Sequence, residues 1–404
     1  MSIRPLPPLP ALHYGSHLID DADVAAVCAA LRSDRLTQGP LVAEFEQGIA
    51  RRVGAPHVTA VSNGTAALHV AYAALGLGPG DEIITSPITF VATANAARML
   101  GADVRFADVC ADSGNLDPAS VAALVGPRTR GIVPVHFGGL PVDLAALRAI
   151  ADRHGLWMVE DAAHALGAEY QGSAIGGCKY SQATTFSFHP VKHITTGEGG
   201  AVCTSDPVLE QRMRQFREHG LVRTPAPDSG GHWGYRQDAL GYNYRMCDLQ
   251  CALGSSQLKK LPAWLEQRQR LAALYRAQLA ELGLPWLEPT AAGQQARHAY
   301  HLFSVLIDFE RAGVTRAQVM GRLKEQGIVA MVHYMPVCDQ PYYAALYGRA
   351  ACPEARRFYA RQLSLPMHQG MCADDVARVV SALGQALSGR TSRIDNEEEL
   401  ACSL

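Results

Sequence analysis

From about residue 58 the chain alternates between short apolar runs and amphipathic stretches with a helical repeat. "HVTAVSNG" predicts a strand entering a turn, and "TAALHVAYAALGL" the helix that follows it. The pattern then repeats. The strand "DEIITSPITF" leads to the helix "VATANAARMLG", which ends at Gly101. "DVRFADV" leads to "DPASVAALV", where Asp117 and Pro118 supply the cap and the first turn. "RGIVPVHFGG" precedes "DLAALRAIADRHG", and "LWMVEDAAHALG" is a strand running into a polar end. Repeated β-α units of this length predict an α/β fold with a mostly parallel sheet covered on both faces. Ligands of such sheets collect at the carboxyl ends of the strands, so the residues just after each strand are the ones to examine.

Near residue 249 the texture changes. "LQCALGSSQLKKLPAWLEQRQRLAALYRAQLAELG" predicts a long helical region, interrupted or restarted around Pro262. Leu261, Leu265, Leu274, Tyr275, Leu279 and Leu282 form an apolar stripe at helical spacing. It reads as a connector into a smaller C-terminal α/β domain with the strand "YHLFSVLIDF", the helix "TRAQVMGRLKEQG" and the strand "IVAMVHYMP". The expected units are residues 1–250, an N-terminal segment with the large domain; 251–390, the connecting helix with the small domain; and a polar tail, 391–404. That tail, "TSRIDNEEELACSL", has the composition of a frayed end.

Composition narrows the classes. Hydrophobic residues are 48% of the 404 and charged residues 18%, as in ordinary globular proteins. A formal net charge of −2 gives no reason to expect nucleic acid or an anionic membrane as partner. The opening "MSIRPLPPLP" lacks the apolar stretch of a signal peptide, and no run of about 18 apolar residues exists to span a membrane. Ten scattered cysteines without a C-x-x-C pair predict reduced thiols, and with them a cytoplasmic protein. Of the 36 basic residues only five are lysines, at 179, 192, 259, 260 and 324, which shortens the search for amine chemistry.

Three stretches carry candidate chemistry. In "AVSNGTAALHVA" a strand ends, Ser62-Asn63-Gly64-Thr65 turns and a helix begins. The free N–H groups and dipole of that helix start favour a phosphate, although an ordinary capped turn has the same look. In "MVEDAAHALG" an apolar strand delivers Glu160 and Asp161 to the ligand-bearing edge. Alternation sends the two side chains to opposite sides, so one acid is expected to face the pocket, with His164 within reach of the same ligand. An acidic helix cap is the plain alternative, and no metal-binding spacing lies nearby. In "TTFSFHPVKHITTGEGGAV" a strand is followed by Ser187, His189, Lys192 and then Gly197, Gly199 and Gly200. Glycines let the backbone approach a ligand, and a partly desolvated lysine is a nucleophilic amine; a surface lysine in a hairpin is the alternative. Together a phosphate cradle, a carboxylate and a lysine, each after a strand of one sheet, are the parts pyridoxal phosphate needs. The lysine forms the Schiff base, and the acid keeps the pyridine nitrogen protonated.

These stretches resemble the DegT–StrS family of sugar-nucleotide aminotransferases, which are fold-type I pyridoxal phosphate enzymes with a large domain and a smaller C-terminal one. The resemblance runs from about Tyr14 to about residue 385. It includes "SDRLTQGPLVAEFE", "VSNGTAAL", "SPITFVATANA", "VEDAAHALGA", "FSFHPVKHITTGEGGAV", "LGYNYRM" and "VHYMPV". It implies that Lys192 is the catalytic Schiff-base lysine, that Asp161 partners the pyridine nitrogen and that His164 lies near the ring hydroxyl. Phe90 would stack on the cofactor face, and Gly64, Thr65 and Ser187 would contact its phosphate. Asn243 matches a cofactor residue donated by a neighbouring subunit, which implies a homodimer with shared active sites. Tyr14, Thr37, His333 and Tyr334 match regions that line the sugar-nucleotide pocket, and Arg35 stands where an aromatic residue is more usual. Within the family, "FHPVKHITTGEGG" and "VHYMPVCDQPYY" resemble most the branch serving pseudaminic acid biosynthesis. That implies amination at C4 of a UDP-linked 4-keto-6-deoxy-N-acetylhexosamine, with L-glutamate as donor. The alternatives are amination of another nucleotide-linked keto sugar, of the GDP-perosamine or 3-keto kind, and a non-catalytic sugar-binding or regulatory protein of the same fold, against which Lys192, Asp161 and the glycine turn argue. The related 3-dehydratases carry His where Lys192 stands.

Overall fold

Among the described residues, seven strands form the central sheet: β1 (His57–Val61), β2 (Glu82–Thr85), β3 (Asp103–Phe106), β4 (Thr129–Val133), β5 (Trp157–Asp161), β6 (Ala183–Ser187) and β7 (Gly200–Thr204). Their order is β1-β7-β6-β5-β4-β2-β3. Only β7 runs against its neighbours, pairing antiparallel with both β1 and β6. The structure is a computed structural model and describes residues 11–223, 233–293 and 295–388; the opening "MSIRPLPPLP" and the expected tail lie outside the described residues.

The sheet is apolar on both faces because each face is covered. Neighbouring residues of one strand enter different cores: Ala60, Ile84 and Met158 join one, Val61, Ile83 and Val159 the other. Helix Pro40–Val53 covers the first face through Phe45 and Ile49, and helix Gly64–Ala74 the second through Val70 and Tyr72. Truncating one fully buried isoleucine such as Ile84 to alanine costs about 2–5 kcal/mol. The predicted cap is present: Asp117 accepts from the N–H groups of Ala119 and Ser120. Asp143 caps the next helix in the same way, accepting from the N–H of Ala146.

Three predicted elements differ. The strand beginning at Glu82 stops at Thr85, since the Ser86 hydroxyl takes the Ile88 N–H and Pro87 has none to give. The helical region around Pro262 is one unbroken helix, Asp248–Glu281. Pro262 lies on its exposed side, where water can serve the carbonyl it leaves unpaired, while packing on both sides of it holds the axis. The run "IVAMVHYMP" forms a strand only at Ile328–Val329, which pairs parallel with Leu12–His13. Beyond it the His333 N–H is taken by the Gln362 side chain rather than by a ladder, and the chain leaves the sheet.

A three-stranded antiparallel sheet, Leu287–Pro289, Phe303–Ile307 and Gln362–Leu365, packs with helices Arg316–Glu325 and Ala373–Leu387. Their core contains Tyr275, Phe303, Val305, Leu323 and Leu383. The long helix thus contributes to both bodies. Of its predicted stripe, Leu261, Leu265, Tyr275 and Leu279 are buried and Leu274 and Leu282 half-buried. Between them sits Arg268, which is buried as well. No helix among the described residues is long and apolar enough to cross a membrane.

Candidate active site

The carboxyl ends of β1, β5 and β6 meet at a cavity of about 690 Å³. After β1, Asn63 caps helix Gly64–Ala74 by accepting the Ala66 N–H at 2.8 Å, which leaves the Gly64 and Thr65 N–H groups at the positive helix end. A Cβ at position 64 would stand 2.8 Å from the Ser187 Cβ, so only glycine lets the last residue of β6 lie against the helix start. Gly200, paired with Ser187 across β6 and β7, is needed for the same reason: a Cβ there would stand 2.5 Å from the Asn63 carbonyl oxygen. The result is a cradle of two backbone donors and the hydroxyls of Thr65 and Ser187, which suits a phosphate.

β5 delivers its two acids to opposite sides, as alternation predicts. Glu160 turns into the core, where its carboxylate accepts from His136 Nε2 at 2.8 Å and from Ser181 and Thr184. His136 Nδ1 accepts the Val142 N–H, so Nε2 carries the imidazole hydrogen and donates it to Glu160. Asp161 instead lines the cavity, 6% exposed. Its Oδ2 accepts from the Thr93 hydroxyl at 2.7 Å and its Oδ1 from the Ala163 N–H at 3.2 Å, which fixes the carboxylate.

Lys192 follows β6 in a turn closed by its own N–H to the His189 carbonyl, 2.9 Å. Its amine reaches the cavity and lies 3.5 Å from His301 Nε2. Burial pushes the ammonium pKa down from 10.5 to about 8, against the opposing pull of Asp161. A free amine is therefore available near neutral pH, as a nucleophile requires. Around it His164 and His333 are neutral. Burial, with Lys192's charge next, holds His164 well below its ordinary value and brings His333 to about 3. His164 Nε2 is 3.3 Å from the Tyr334 hydroxyl, and His333 Nδ1 is 2.9 Å from the Ser364 hydroxyl. Tyr14 packs its ring 5.0 Å from that of His333, and Phe90 stands at the mouth, 60% exposed.

The structure thus gathers Lys192, Asp161, His164, Gly64, Thr65, Ser187, Phe90, Tyr14, His333 and Tyr334 in one cavity. Thr37 and Asn243 are outside it: both are exposed, held by backbone bridges to Cys247 and Glu218. His189 and Glu198 line the cavity from the lysine's own loop. Sequence reasoning missed Thr93 and His301. Thr93 had a signal, one helical turn beyond Phe90 on the cavity side of the chain. His301, 109 positions from Lys192, had none.

These residues fit pyridoxal phosphate: a dianion for the cradle that a Cβ would fill, a ring N–H for the carboxylate held by Thr93, and a carbonyl carbon for the lysine amine. Fold and site define a fold-type I, pyridoxal phosphate-dependent aminotransferase. The sequence profile of the DegT/DnrJ/EryC1/StrS aminotransferase family matches residues 17–384. The chain belongs to that family. It is 40% identical over 383 residues, 94% of this chain and 97% of the relative, to the spore coat polysaccharide biosynthesis protein SpsC of Bacillus subtilis. Among solved structures it resembles Helicobacter pylori PseC, an aminotransferase of pseudaminic acid biosynthesis, with a TM-score of 0.88 at 32% identity, covering 94% of this chain and 100% of that one. The sugar aminotransferase Spr1654 of Streptococcus pneumoniae, solved in pyridoxal and pyridoxamine phosphate forms, matches at 25% identity over 94% of this chain and 99% of that one, with TM-scores of 0.86 and 0.87.

Proposed function

We propose that the protein moves the amino group of L-glutamate to C4 of a UDP-linked 4-keto-6-deoxy-N-acetylhexosamine, a step of pseudaminic acid biosynthesis. The observation that carries this reading is the likeness to PseC along 94% of the chain. Pyridoxal phosphate, when bound, supplies the carbonyl carbon and the electron-drawing ring. Gly64, Thr65 and Ser187 hold its phosphate, Asp161 holds the proton of its ring nitrogen and His164 lies by its hydroxyl. Phe90 covers its face. Lys192 Nζ would be the amine that holds its carbonyl carbon at rest, the carbonyl oxygen leaving as water, and the free amine would be the base that takes the α-proton of the amino donor. Tyr14, His333 and Tyr334 form the wall that meets the sugar nucleotide. Thr37 and Asn243, exposed on their own chain, serve the site of a second copy, so the working unit is a homodimer with shared active sites acting in the cytoplasm.

The likeness to SpsC supports a second reading, amination of another nucleotide-linked keto sugar, of the GDP-perosamine or 3-keto kind. A panel of UDP-, GDP- and dTDP-linked 3-keto and 4-keto sugars with glutamate separates the two, with NMR of the product to locate the new amine. Amination of GDP- or dTDP-sugars alone, or at C3, would sink the first reading. Lys192→Ala is expected to abolish turnover on every substrate while the cofactor still binds noncovalently.

A further inference from the structure

His301 lies two residues before the strand Phe303–Ile307, is 2% exposed, and belongs to none of the roles above. Its position is nonetheless tightly determined. Arg268, fully buried on the long helix with no carboxylate partner among the described residues, donates Nη1 to the carbonyls of Tyr300 (2.9 Å), His301 (3.4 Å) and Met367 (2.9 Å), and Nη2 to Gln369. The turn after β4 receives the same segment at close range. The Ala299 N–H donates to Gly139 and the Leu302 N–H to Gly138, and a Cβ on Gly139 would stand 3.1 Å from the His301 nitrogen. The His301 ring packs 4.3 Å from that of His164 and 5.7 Å from that of His193. Ring packing holds the imidazole in place, and what it presents to the cavity side is Nε2, 3.5 Å from the lysine amine.

A charged amine has only hydrogens to offer, so whenever Lys192 is protonated Nε2 must be the accepting nitrogen. The groups facing the pair agree. His164 and Asp161 come from the end of β5, His193 from the lysine's own turn, His333 from the opposite wall and Arg268 from the long helix. Burial, then the charges of Lys192 and Arg268 among others, hold His301 well below its ordinary value and keep it neutral. We propose that His301 is a positioning residue for Lys192: its Nε2 accepts a hydrogen bond from the lysine amine and keeps that amine over the cavity whenever it carries no bond to the cofactor. Without an acceptor, a lysine's flexible four-carbon stem leaves the amine free to swing from the reacting atoms.

The proposal rests on Lys192 being the reacting amine, and its test needs neither cofactor nor sugar, so the two readings fail separately. In the apoenzyme, carbamylation by cyanate is followed at each lysine by peptide mass spectrometry across pH. With five lysines in the chain, the Lys192 peptide is counted on its own and the others serve as references. The wild-type midpoint is expected near 8. In His301→Leu the charged amine loses its acceptor, and the midpoint falls by about one pH unit. His301→Gln, whose amide oxygen accepts, keeps the wild-type value. Should the leucine variant not fold, His301→Asn, too short to span the gap, gives the same downward shift. A midpoint unchanged in His301→Leu, or raised toward 10.5 by admitted water, overturns the proposal. In the holoenzyme the leucine variant is expected to lose about tenfold in kcat with little change in KM, and an unchanged kcat overturns it as well.

Discussion

Gly64→Ala tests the cradle with a single methyl group. Built on the backbone, that methyl carbon stands 2.8 Å from the Ser187 Cβ and 3.1 Å from its Oγ. The first distance is about 0.7 Å short of ordinary carbon contact, so the helix start and Ser187 must part by about that much. Hydrogen bonds to one phosphate from the Gly64 and Thr65 N–H groups and the Ser187 hydroxyl cannot all survive such a displacement, since 0.7 Å takes a good bond to its limit. Losing one bond to a charged acceptor costs about 2–3 kcal/mol, or roughly a 30- to 160-fold weaker hold on the cofactor. The fold is not at risk, because alanine is the better helix former by up to about 1 kcal/mol. The assay strips the cofactor and titrates it back, following visible absorbance for binding and thermal melting of the apoenzyme for fold. Removing the obstructing side chain in Gly64→Ala/Ser187→Gly restores the room but not the hydroxyl, and recovers part of the loss. If Gly64→Ala binds cofactor as tightly as the wild type, the phosphate does not sit at this helix end and the site must be rebuilt around other donors.

Asp161→Asn is expected to leave the melting temperature close to wild type and to cripple turnover. Glu160→Gln, one residue away, is expected to lower stability by about 1–3 kcal/mol, since a buried acceptor of His136, Ser181 and Thr184 is exchanged for a partial donor, while cofactor affinity holds. Denaturant melts and cofactor titrations of the pair check both. Lys192→Met is expected to stabilise the apoenzyme at neutral pH. The folded amine has its pKa lowered to about 8 from 10.5, so between those values the unfolded chain binds more protons and stability rises with pH. The advantage of the variant over wild type is therefore full below pH 8 and fades toward 10.5, read as the difference between their melting curves. Pro262→Ala, on the exposed side of an unbroken helix, is expected to raise stability by about 1–2 kcal/mol in urea unfolding.

The local pattern of this chain determined a great deal. Alternation of apolar runs and helical stretches set the seven-stranded, doubly covered sheet, and the residues after β1, β5 and β6 are the ones that meet at the cavity. Period-two alternation alone said that Glu160 and Asp161 part company. Those features are legible because strand period, cap and turn preferences act over a few residues. Which acid faces the ligand came from the family resemblance and not from the alternation, because it depends on what lies across the sheet: His136, Ser181 and Thr184 on one side, Thr93 on the other. Nor was the fate of Pro262 legible, where packing overrode the local breaker, or that of "VHYMP", where a single Gln362 side chain drew His333 off the ladder. The partner of Lys192 was the least legible of all. His301 is brought to the amine by a buried arginine and a pair of glycines from two distant stretches, and contacts of that kind have no period, spacing or motif to announce them.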